Sequence, residues 1–341
     1  MKALRLESIG RLTLADVEKP LPGPHDLLVR VEACGICGTD RHLLHGEFRS
    51  KPPVTLGHEF CGIVEAVGTE VSDIAIGARI TGDPNIACGT CPQCHAGRVN
   101  LCRNLQAIGI HRDGGFAEYV LVPRKQAYEI PSDLDPVHGA FCEPLACCLH
   151  GVDMAGIRAG SSVVVLGGGV IGLLVVQLAR LAGATTVILS TRQAEKRRLA
   201  EEVGATATVD PSADTVERIA GKDGLVPGGV DVVIECAGVA ETVRQSTRLA
   251  KAGGTVVILG VMPQGETVEI EPFDILFREL RVLGSFINPF VHRRAADLVA
   301  SGVIEIDKLI SRRVTLDEAA GVISRPPAAG EVKVLVIPGR A

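Results

Sequence analysis

Short apolar runs alternate with helical segments between residues 161 and 284. The runs SVVVL, TVILS, VDVVIE and GTVVIL are rich in β-branched residues, and amphipathic stretches such as LLVVQLARLAG and QAEKRRLAEEVG separate them. Such runs are typical of strands buried on both faces, and their alternation with helices indicates parallel pairing. We therefore predict a doubly wound parallel sheet in this part of the chain.

The preceding part has a different pattern. Gly, Pro and Asp interrupt short strand-like runs such as LLVRVEACG, CGIVEAVG and FAEYVLVP, which favours an antiparallel, partly barrel-shaped domain. The segment after residue 284 holds one helix and the closing strand EVKVLVIP, too little for a third domain, and is expected to return to the first. A length of 341 residues also favours two domains. We place one at 1–148 plus 286–341 and the other at 149–285.

Composition and net charge limit the classes of molecule that the protein is expected to bind. Hydrophobic residues make up 46% of the chain, and the formal net charge is -5. An acidic balance gives no general attraction to nucleic acid or anionic lipid, so we expect a small-molecule partner and neither of those two. The first residues lack the apolar core of a signal peptide, which predicts a cytoplasmic location. The 11 cysteines are then better read as metal ligands and core thiols than as disulfides.

Four of the cysteines fall in the polar segment ACGTCPQCHAGRVNLC, at Cys88, Cys91, Cys94 and Cys102. Four thiolates at this spacing can surround a zinc ion tetrahedrally and leave no position for water or substrate. The segment therefore predicts a structural zinc site. An iron–sulfur cluster fits four thiolates as well and stays the alternative.

A second set of candidate ligands is scattered along the chain. It comprises Cys37 in GICGTD, His58 and Glu59 in LGHEF, and Glu143 in FCEPL. Catalytic zinc takes three protein ligands and keeps a fourth position open, and these residue types are the ones it accepts. Each residue alone is weak evidence for a metal site, because a single histidine after glycine more often has a structural role.

Three polar residues follow Cys37 within five positions: Thr39, Asp40 and His42. A hydroxyl can take a substrate proton and pass it to a histidine, and a carboxylate can hold a metal-bound imidazole in one tautomer. Without a metal nearby, the same residues would be ordinary turn formers.

A glycine-rich turn follows the strand SVVVL and precedes a helical run. In this G-x-G-x-x-G pattern the first glycine allows a tight turn, the second lets the backbone approach a pyrophosphate, and the third permits close packing of helix on strand. Strand, turn and helix occur in the required order, which predicts dinucleotide binding. The turn consists of Gly167, Gly168, Gly169, Val170, Ile171 and Gly172.

The residues at the end of the next strand, in VILSTRQAEKRR, indicate which dinucleotide binds. The acidic residue that would grip the ribose hydroxyls of NAD is absent there. Ser190, Thr191 and Arg192 stand in its place, with Lys196 and Arg197 beyond, and such hydroxyls and positive charges suit a 2′-phosphate. We therefore predict NADP rather than NAD, although Lys196 and Arg197 could also form a solvated helix face.

Together these motifs resemble the zinc-containing medium-chain dehydrogenase/reductase family, and most closely its sorbitol, threonine and butanediol dehydrogenase-like branch. The resemblance runs along the whole chain, from GICGTDRH and LGHEFCGIVEAVG through the four-cysteine segment and the glycine turn to GEVKVLV. It implies a GroES-like catalytic domain with a Rossmann domain inserted, two zinc ions per chain, and a homotetramer or homodimer.

The resemblance also assigns roles at the second metal site. It makes Cys37 and His58 zinc ligands and Glu59 a carboxylate that approaches or replaces a ligand during turnover. Glu143 matches the third ligand. Many simple alcohol dehydrogenases have cysteine at that position, whereas polyol-type members have glutamate in the sequence motif EPL. Its neighbour Cys142 is the competing assignment.

The remaining roles follow from the same resemblance. Thr39 would take the substrate proton, His42 would pass it on, and Asp40 would orient His58. Lys333 matches a basic position that contacts the cofactor pyrophosphate. Phe48, Phe286 and Asn288 are candidates for lining the substrate pocket.

The predicted function is a zinc-dependent dehydrogenase that transfers a hydride between a secondary alcohol or polyol and NADP, giving a ketone. A primary-alcohol or threonine dehydrogenase using NAD is the first alternative. A zinc-independent reductase would not need the second metal site. A noncatalytic cofactor-sensing or structural protein would keep one zinc rather than two.

Overall fold

The computed structural model of the protein describes residues 1–48, 50–211 and 214–339. The chain forms two units, one from Met1–Ala146 and Asn288–Ala341 and the other from Cys147–Ile287. The last two residues of the predicted first domain lie outside the described part. The first limit falls inside a helix, Cys142–Ala155, so no loop marks it.

The first unit holds most of the strands. Up to residue 155 the elements are β1 (Lys2–Ser8), β2 (Arg11–Asp16), β3 (Asp26–Gly35), α1 (Gly38–His45), β4 (Val54–Thr55), β5 (Glu59–Val67), β6 (Arg79–Gly82), β7 (Asn85–Ile86), α2 (Pro92–His95), β8 (Gln106–Ala107), β9 (Tyr119–Pro123), β10 (Ala127–Glu129), α3 (Pro136–Gly139) and α4 (Cys142–Ala155).

The second unit alternates strands and helices. Its elements are β11 (Ser162–Leu166), α5 (Val170–Leu181), β12 (Thr186–Ser190), α6 (Ala194–Glu202), β13 (Ala207–Val209), α7 (Thr215–Ala220), β14 (Val230–Glu235), α8 (Ala240–Leu249), β15 (Ala250–Ile258), α9 (Pro272–Phe277) and β16 (Arg281–Gly284). The chain then adds α10 (His292–Ala300), β17 (Ile310–Val314), α11 (Leu316–Ile323) and β18 (Lys333–Val336) to the first unit.

The main sheet of the first unit has the order β10-β6-β5-β3-β18-β17, with β9 also paired to β3. Its pairs are antiparallel except β17 with β18. The closing strand β18 lies beside β3, where Leu335 pairs with Gly35 and Val336 with Cys34. Residues from both ends of the chain therefore share one core, which includes Leu27, Phe60 and Val336.

The sheet of the second unit has the order β13-β12-β11-β14-β15-β16, and every pair in it is parallel. This is the strand order of a dinucleotide-binding sheet, and its direction of winding reverses between β11 and β14. The apolar runs fill the core, since Val164, Ile188, Val233 and Val256 are all fully buried. The prediction of a doubly wound parallel sheet is confirmed.

No helix in the described residues is long and apolar enough to cross a membrane.

Candidate metal and cofactor sites

The four cysteines of the segment 88–102 lie together in the first unit, with their sulfur atoms all within 4.8 Å of one another. The Sγ atoms are 3.6 Å apart for Cys91 and Cys94, 4.0 Å for Cys91 and Cys102, and 3.4 Å for Cys88 and Cys102. Thiolates around one zinc ion at about 2.3 Å lie about 3.8 Å apart. The residues present therefore fit a tetrahedral zinc ion.

The backbone supports these sulfur atoms. The amides of Cys88 and Asn104 donate to Cys102 Sγ over 3.3 and 3.4 Å. Hydrogen bonds from the backbone and hydroxyl of Thr90 lower the pKa of Cys88 to about 5. Donors around a sulfur atom favour the thiolate, which is the form that binds zinc.

The second metal cluster also lies in the first unit. Ligand atoms of Cys37, His58 and Glu59 are within 4.8 Å of one another. Atoms bound to one zinc at 2.0 to 2.3 Å lie about 3.3 to 3.8 Å apart, so a small adjustment would bring these three around an ion. Cys, His and carboxylate suit zinc chemically, and the site fits the group.

Local structure fixes the first two of these residues. Cys37 is the N-cap of α1, and the carboxylate of Asp40 accepts the Cys37 amide at 2.8 Å. The other oxygen of Asp40 is 3.7 Å from Nδ1 of His58. Asp40 is fully buried and contacts both candidate ligands. A carboxylate in this position can orient the ring of His58.

Burial and charge oppose each other at His58. Burial alone would lower the pKa of His58, but the neighbouring Cys37, Asp40 and Glu143 outweigh it, and the pKa is raised well above its usual value. At Asp40, burial disfavours the charged carboxylate and raises its pKa. Several acidic groups thus lie in a small buried volume, an arrangement that a divalent cation would stabilise.

Glu143 is not one of the three clustered residues. It lies in the first turn of α4 and is buried. Burial, together with the charge of Glu59, raises its pKa to about 7. The neighbouring Cys142 is fully buried, and burial raises its pKa to about 12. The structure therefore groups Glu59 with Cys37 and His58 and leaves Glu143 nearby, whereas the resemblance had named Glu143 as the third ligand.

A buried lysine faces Glu59. The ammonium of Lys333 pairs with the Glu59 carboxylate and donates to the carbonyl of Ile36 at 3.0 Å, and both charged side chains are only 1% exposed. Gly35 makes room for this pair, because a Cβ there would lie 2.0 Å from the Glu59 oxygen and 2.7 Å from Lys333 Cε. Lys333 thus has a partner inside the first unit, and its predicted contact with a pyrophosphate stays a prediction.

The candidate proton relay lies on α1. The hydroxyl of Thr39 is 3.6 Å from Cys37 Sγ, and His42 follows three residues later on the same face of the helix. Nδ1 of His42 is in hydrogen-bond contact with the carboxylate of Glu47. Glu47 could not be recognised from the sequence, because only the turn after α1 brings it back to the histidine.

The three residues predicted to line a substrate pocket lie in different surroundings. Asn288 is 1% exposed, and its side-chain oxygen accepts from Asn85 at 2.8 Å, so it is not available as a pocket-lining residue in this conformation. Asn85 also donates to Asp83, whose pKa burial raises to about 6. Phe48 packs against the core of the first unit, while Phe286 is exposed.

The glycine turn in the second unit has the geometry that its residues imply. Gly167 has a φ of +114°, a conformation that favours glycine. A Cβ on Gly172 would lie 1.9 Å from the carbonyl of Gly167, whereas a Cβ on Gly169 would meet no atom within 4 Å. Gly169 caps α5, whose first turn contains Val170 and Ile171. The backbone is therefore open to a pyrophosphate at the helix N-terminus.

The loop after β12 carries the residues predicted to choose the cofactor. Ser190 is buried, Thr191 is half-buried and Arg192 is exposed. The side chain of Arg192 makes no hydrogen bond or ion pair among the described residues, so it is free to meet a ligand. Arg197 is already engaged, with the carbonyls of Thr191 and Arg192 and with Asp210.

Glu235, which the sequence analysis did not single out, organises the same edge of the sheet. Its fully buried carboxylate accepts from the amides of Ala237 and Gly238 and from the hydroxyl of Thr242, at 2.7 to 2.9 Å. Its backbone carbonyl accepts the amides of Leu259 and Gly260, both at 2.9 Å. Glu235 thus joins the ends of β14 and β15. The available signal was an acidic residue at the end of the otherwise apolar run VVIE.

Comparisons with known proteins identify the family to which the chain is similar. Residues 23–132 match the family described as alcohol dehydrogenase GroES-like domain, and residues 170–301 match that described as zinc-binding dehydrogenase. The L-threonine 3-dehydrogenase of Thermococcus kodakarensis is 35% identical over 307 residues, covering 88% of this chain and 87% of that protein.

Solved structures give the same answer. A chain from Sinorhizobium meliloti, described as a zinc-binding dehydrogenase and bound to NADP, is 84% identical with a TM-score of 0.98, covering 99% of both chains. The 2R,3R-butanediol dehydrogenase of Bacillus subtilis is 32% identical with a TM-score of 0.90, again covering 99% of both.

The chain belongs to the zinc-containing medium-chain dehydrogenase/reductase family, which includes the alcohol dehydrogenases. It is a zinc-dependent, nicotinamide-linked dehydrogenase, built from a GroES-like unit and a Rossmann unit, and both predictions are confirmed.

Proposed function

We propose that this dehydrogenase oxidises a secondary alcohol or polyol to a ketone with NADP, or reduces the ketone with NADPH, and that it holds two zinc ions per chain. The catalytic domain is residues 1–148 and 286–341, and the Rossmann domain is 149–285. The observation that carries the reaction is the group of Cys37, His58 and Glu59, of which the last two are buried. It differs from the all-sulfur group in having carboxylate and imidazole ligands. The segment 88–102 holds the structural ion.

Each residue of the mixed metal site has a specific part in this proposal. When bound, zinc supplies a positive charge that favours loss of the substrate's hydroxyl proton, and NADP supplies the hydride acceptor. Thr39 takes the proton and His42 passes it on, with Glu47 holding the imidazole at Nδ1. Asp40 keeps the ring of His58 in place. Cys37, His58 and either Glu59 or Glu143 bind the ion.

NADP is supported by the loop after β12. The exposed guanidinium of Arg192 replaces the acidic residue that would repel a 2′-phosphate, and Ser190 and Thr191 add hydroxyl groups. The Sinorhizobium meliloti chain was solved with NADP. Gly167, Gly169, Val170, Ile171 and Gly172 would bind the pyrophosphate through their backbone.

The polyol class is supported by Glu143, at the position where the resemblance places glutamate in polyol-type members, and by the butanediol dehydrogenase relative. The specific observation that favours threonine as a second substrate is the match to L-threonine 3-dehydrogenases. Initial rates with polyols, vicinal diols, threonine and primary alcohols, each with NADP and with NAD, separate these candidates. Turnover of threonine with NAD alone would replace the polyol proposal.

The preference for NADP over NAD should depend on Arg192. Arg192→Asp should lower the ratio of kcat/KM for NADP to that for NAD about 100-fold, because it removes a charge-assisted contact and adds a repelling carboxylate. Arg198→Asp is the matched control, since Arg198 is also exposed and lies on α6 nearby. An unchanged ratio in Arg192→Asp would show that this loop does not select the phosphate.

Assembly and location stay predictions. We propose a homotetramer, or failing that a homodimer, in the cytoplasm. The molar mass from light scattering during size exclusion tests the assembly. Metal analysis of the purified protein, with two zinc ions expected and one for a noncatalytic protein, tests the metal content.

A further inference from the structure

Arg197 connects two structural elements of the Rossmann unit. One terminal nitrogen of its guanidinium donates to the carbonyls of Thr191 and Arg192, each at 2.7 Å. The same nitrogen is 3.0 Å from the carboxylate of Asp210. Asp210 directly follows β13, which is the neighbour of β12 in the sheet. One side chain therefore joins the loop after β12 to an acidic residue at the end of the next strand.

The loop is also held on its other side. A Cβ on Gly168 would lie 2.8 Å from side-chain atoms of Thr191, so the threonine packs directly against the glycine turn. The amide of Thr191 donates to the carbonyl of Val209 at 3.1 Å. Since both carbonyls of the loop are turned to Arg197, its shape is fixed while the side chain of Arg192 stays exposed.

Asp210 would otherwise be unfavourable for NADP. A carboxylate near the adenosine ribose is the feature by which Rossmann domains favour NAD, because it repels a 2′-phosphate. The usual position of that residue, at the end of β12, has none. Asp210 brings a carboxylate to the end of the neighbouring strand, and the guanidinium of Arg197 neutralises it there. An ion pair that is only partly exposed, at 20% for Arg197 and 33% for Asp210, is screened less by salt than a surface pair.

We infer that Arg197 is a positioning residue for cofactor choice, which masks the charge of Asp210 and fixes the backbone of Thr191 and Arg192 so that Arg192 can bind the 2′-phosphate. The role rests on the proposed use of NADP. It differs from direct binding of the phosphate by Arg197, which is what the sequence alone had suggested.

The test is a double-mutant cycle on the purified, zinc-loaded, full-length protein, with kcat/KM measured for NADP and for NAD. Arg197→Gln should lower the NADP to NAD ratio about 10- to 100-fold, and the loss should appear mainly as a higher KM for NADP. Asp210→Asn should recover most of that loss in the Arg197→Gln background. In the otherwise unchanged protein it should alter the ratio less than about threefold, because Arg197 already masks the charge.

Arg198→Gln is the matched control, because it removes the same charge at the next position. The side chain of Arg198 is exposed and has no partner among the described residues. Its ratio should equal that of the wild type. If Arg197→Gln does not fold, Arg197→Lys keeps the charge but loses the planar fork, and its ratio should fall between wild type and full loss.

Three outcomes would overturn the inference. An unchanged ratio in Arg197→Gln, while the wild type prefers NADP, removes the role and leaves the proposed function standing. Equal effects of Asp210→Asn in both backgrounds would show that Arg197 does not act by masking the charge of Asp210. A wild type that prefers NAD would overturn the proposed cofactor, and this role with it.

Discussion

The two metal clusters of the first unit are assembled in opposite ways. The four-cysteine cluster comes from one segment of the chain, residues 88–102, and two of its cysteines are partly exposed. The second cluster combines residue 37 with residues 58 and 59, and His58 and Glu59 are buried. Around it lie a buried lysine, a buried aspartate and Glu143. One site is a local loop with uniform ligands, and the other is a charged interior with mixed ligands.

The difference shows what each site depends on. Four thiolates fill the coordination of zinc and need little beyond a few backbone amides. The mixed site is held by its surroundings, since Asp40 touches Cys37 and His58 while Lys333 pairs with Glu59. We therefore expect the four-cysteine site to stabilise the fold, and the mixed site to depend on the fold that surrounds it.

The largest expected effect is on turnover. Cys37→Ser should reduce kcat at least about 10⁴-fold, because the thiolate ligand of the open site is lost. One zinc ion per chain should remain, and NADP should still bind, as measured by metal analysis and calorimetry. Loss of turnover and cofactor binding together would contradict the separate roles of the two units' sites.

A smaller effect is expected at the buried ion pair. Lys333→Met should lower the free energy of unfolding by about 3 to 5 kcal/mol, since the Glu59 carboxylate would be left buried without its partner. Urea denaturation measures this, and Lys333→Met with Glu59→Gln should recover part of the loss. A cost below about 1 kcal/mol in the single variant would mean that this pair behaves like an exposed one.

The smallest of the three effects concerns the closed site. Cys94→Ser should remove one zinc ion and lower the free energy of unfolding by about 2 to 4 kcal/mol, because a structural metal is lost. The measurements are metal analysis and thermal unfolding, and kcat per folded molecule should stay close to that of the wild type. If kcat fell as far as in Cys37→Ser, the two sites would not be separable in this way.

Sequence alone could predict features that are local. The thiolates of residues 88–102 and the glycine turn each lie within a few positions, and their spacing limits the geometry they can form. The parallel sheet could be predicted too, because runs such as SVVVL are too apolar for an exposed strand.

Features that depend on strand register were missed. The pairing of Lys333 with Glu59 requires β18 to lie beside β3, and no pattern in the sequence fixes that register. Asp210 and Glu235 likewise acquire their roles from neighbouring strands of the parallel sheet. Asn288 was proposed for a pocket, but its amide is buried against Asn85.

The place of β18 beside β3 has a consequence for synthesis on the ribosome. Lys333 and the carbonyl of Ile36 that it binds are 297 residues apart. At about 5 to 20 residues per second, the lysine emerges roughly 15 to 60 s after the strand that awaits it. The Rossmann unit is continuous in sequence and is made during this interval. The nascent GroES-like unit must therefore wait, with Glu59 still lacking its countercharge, until the last strand has been translated.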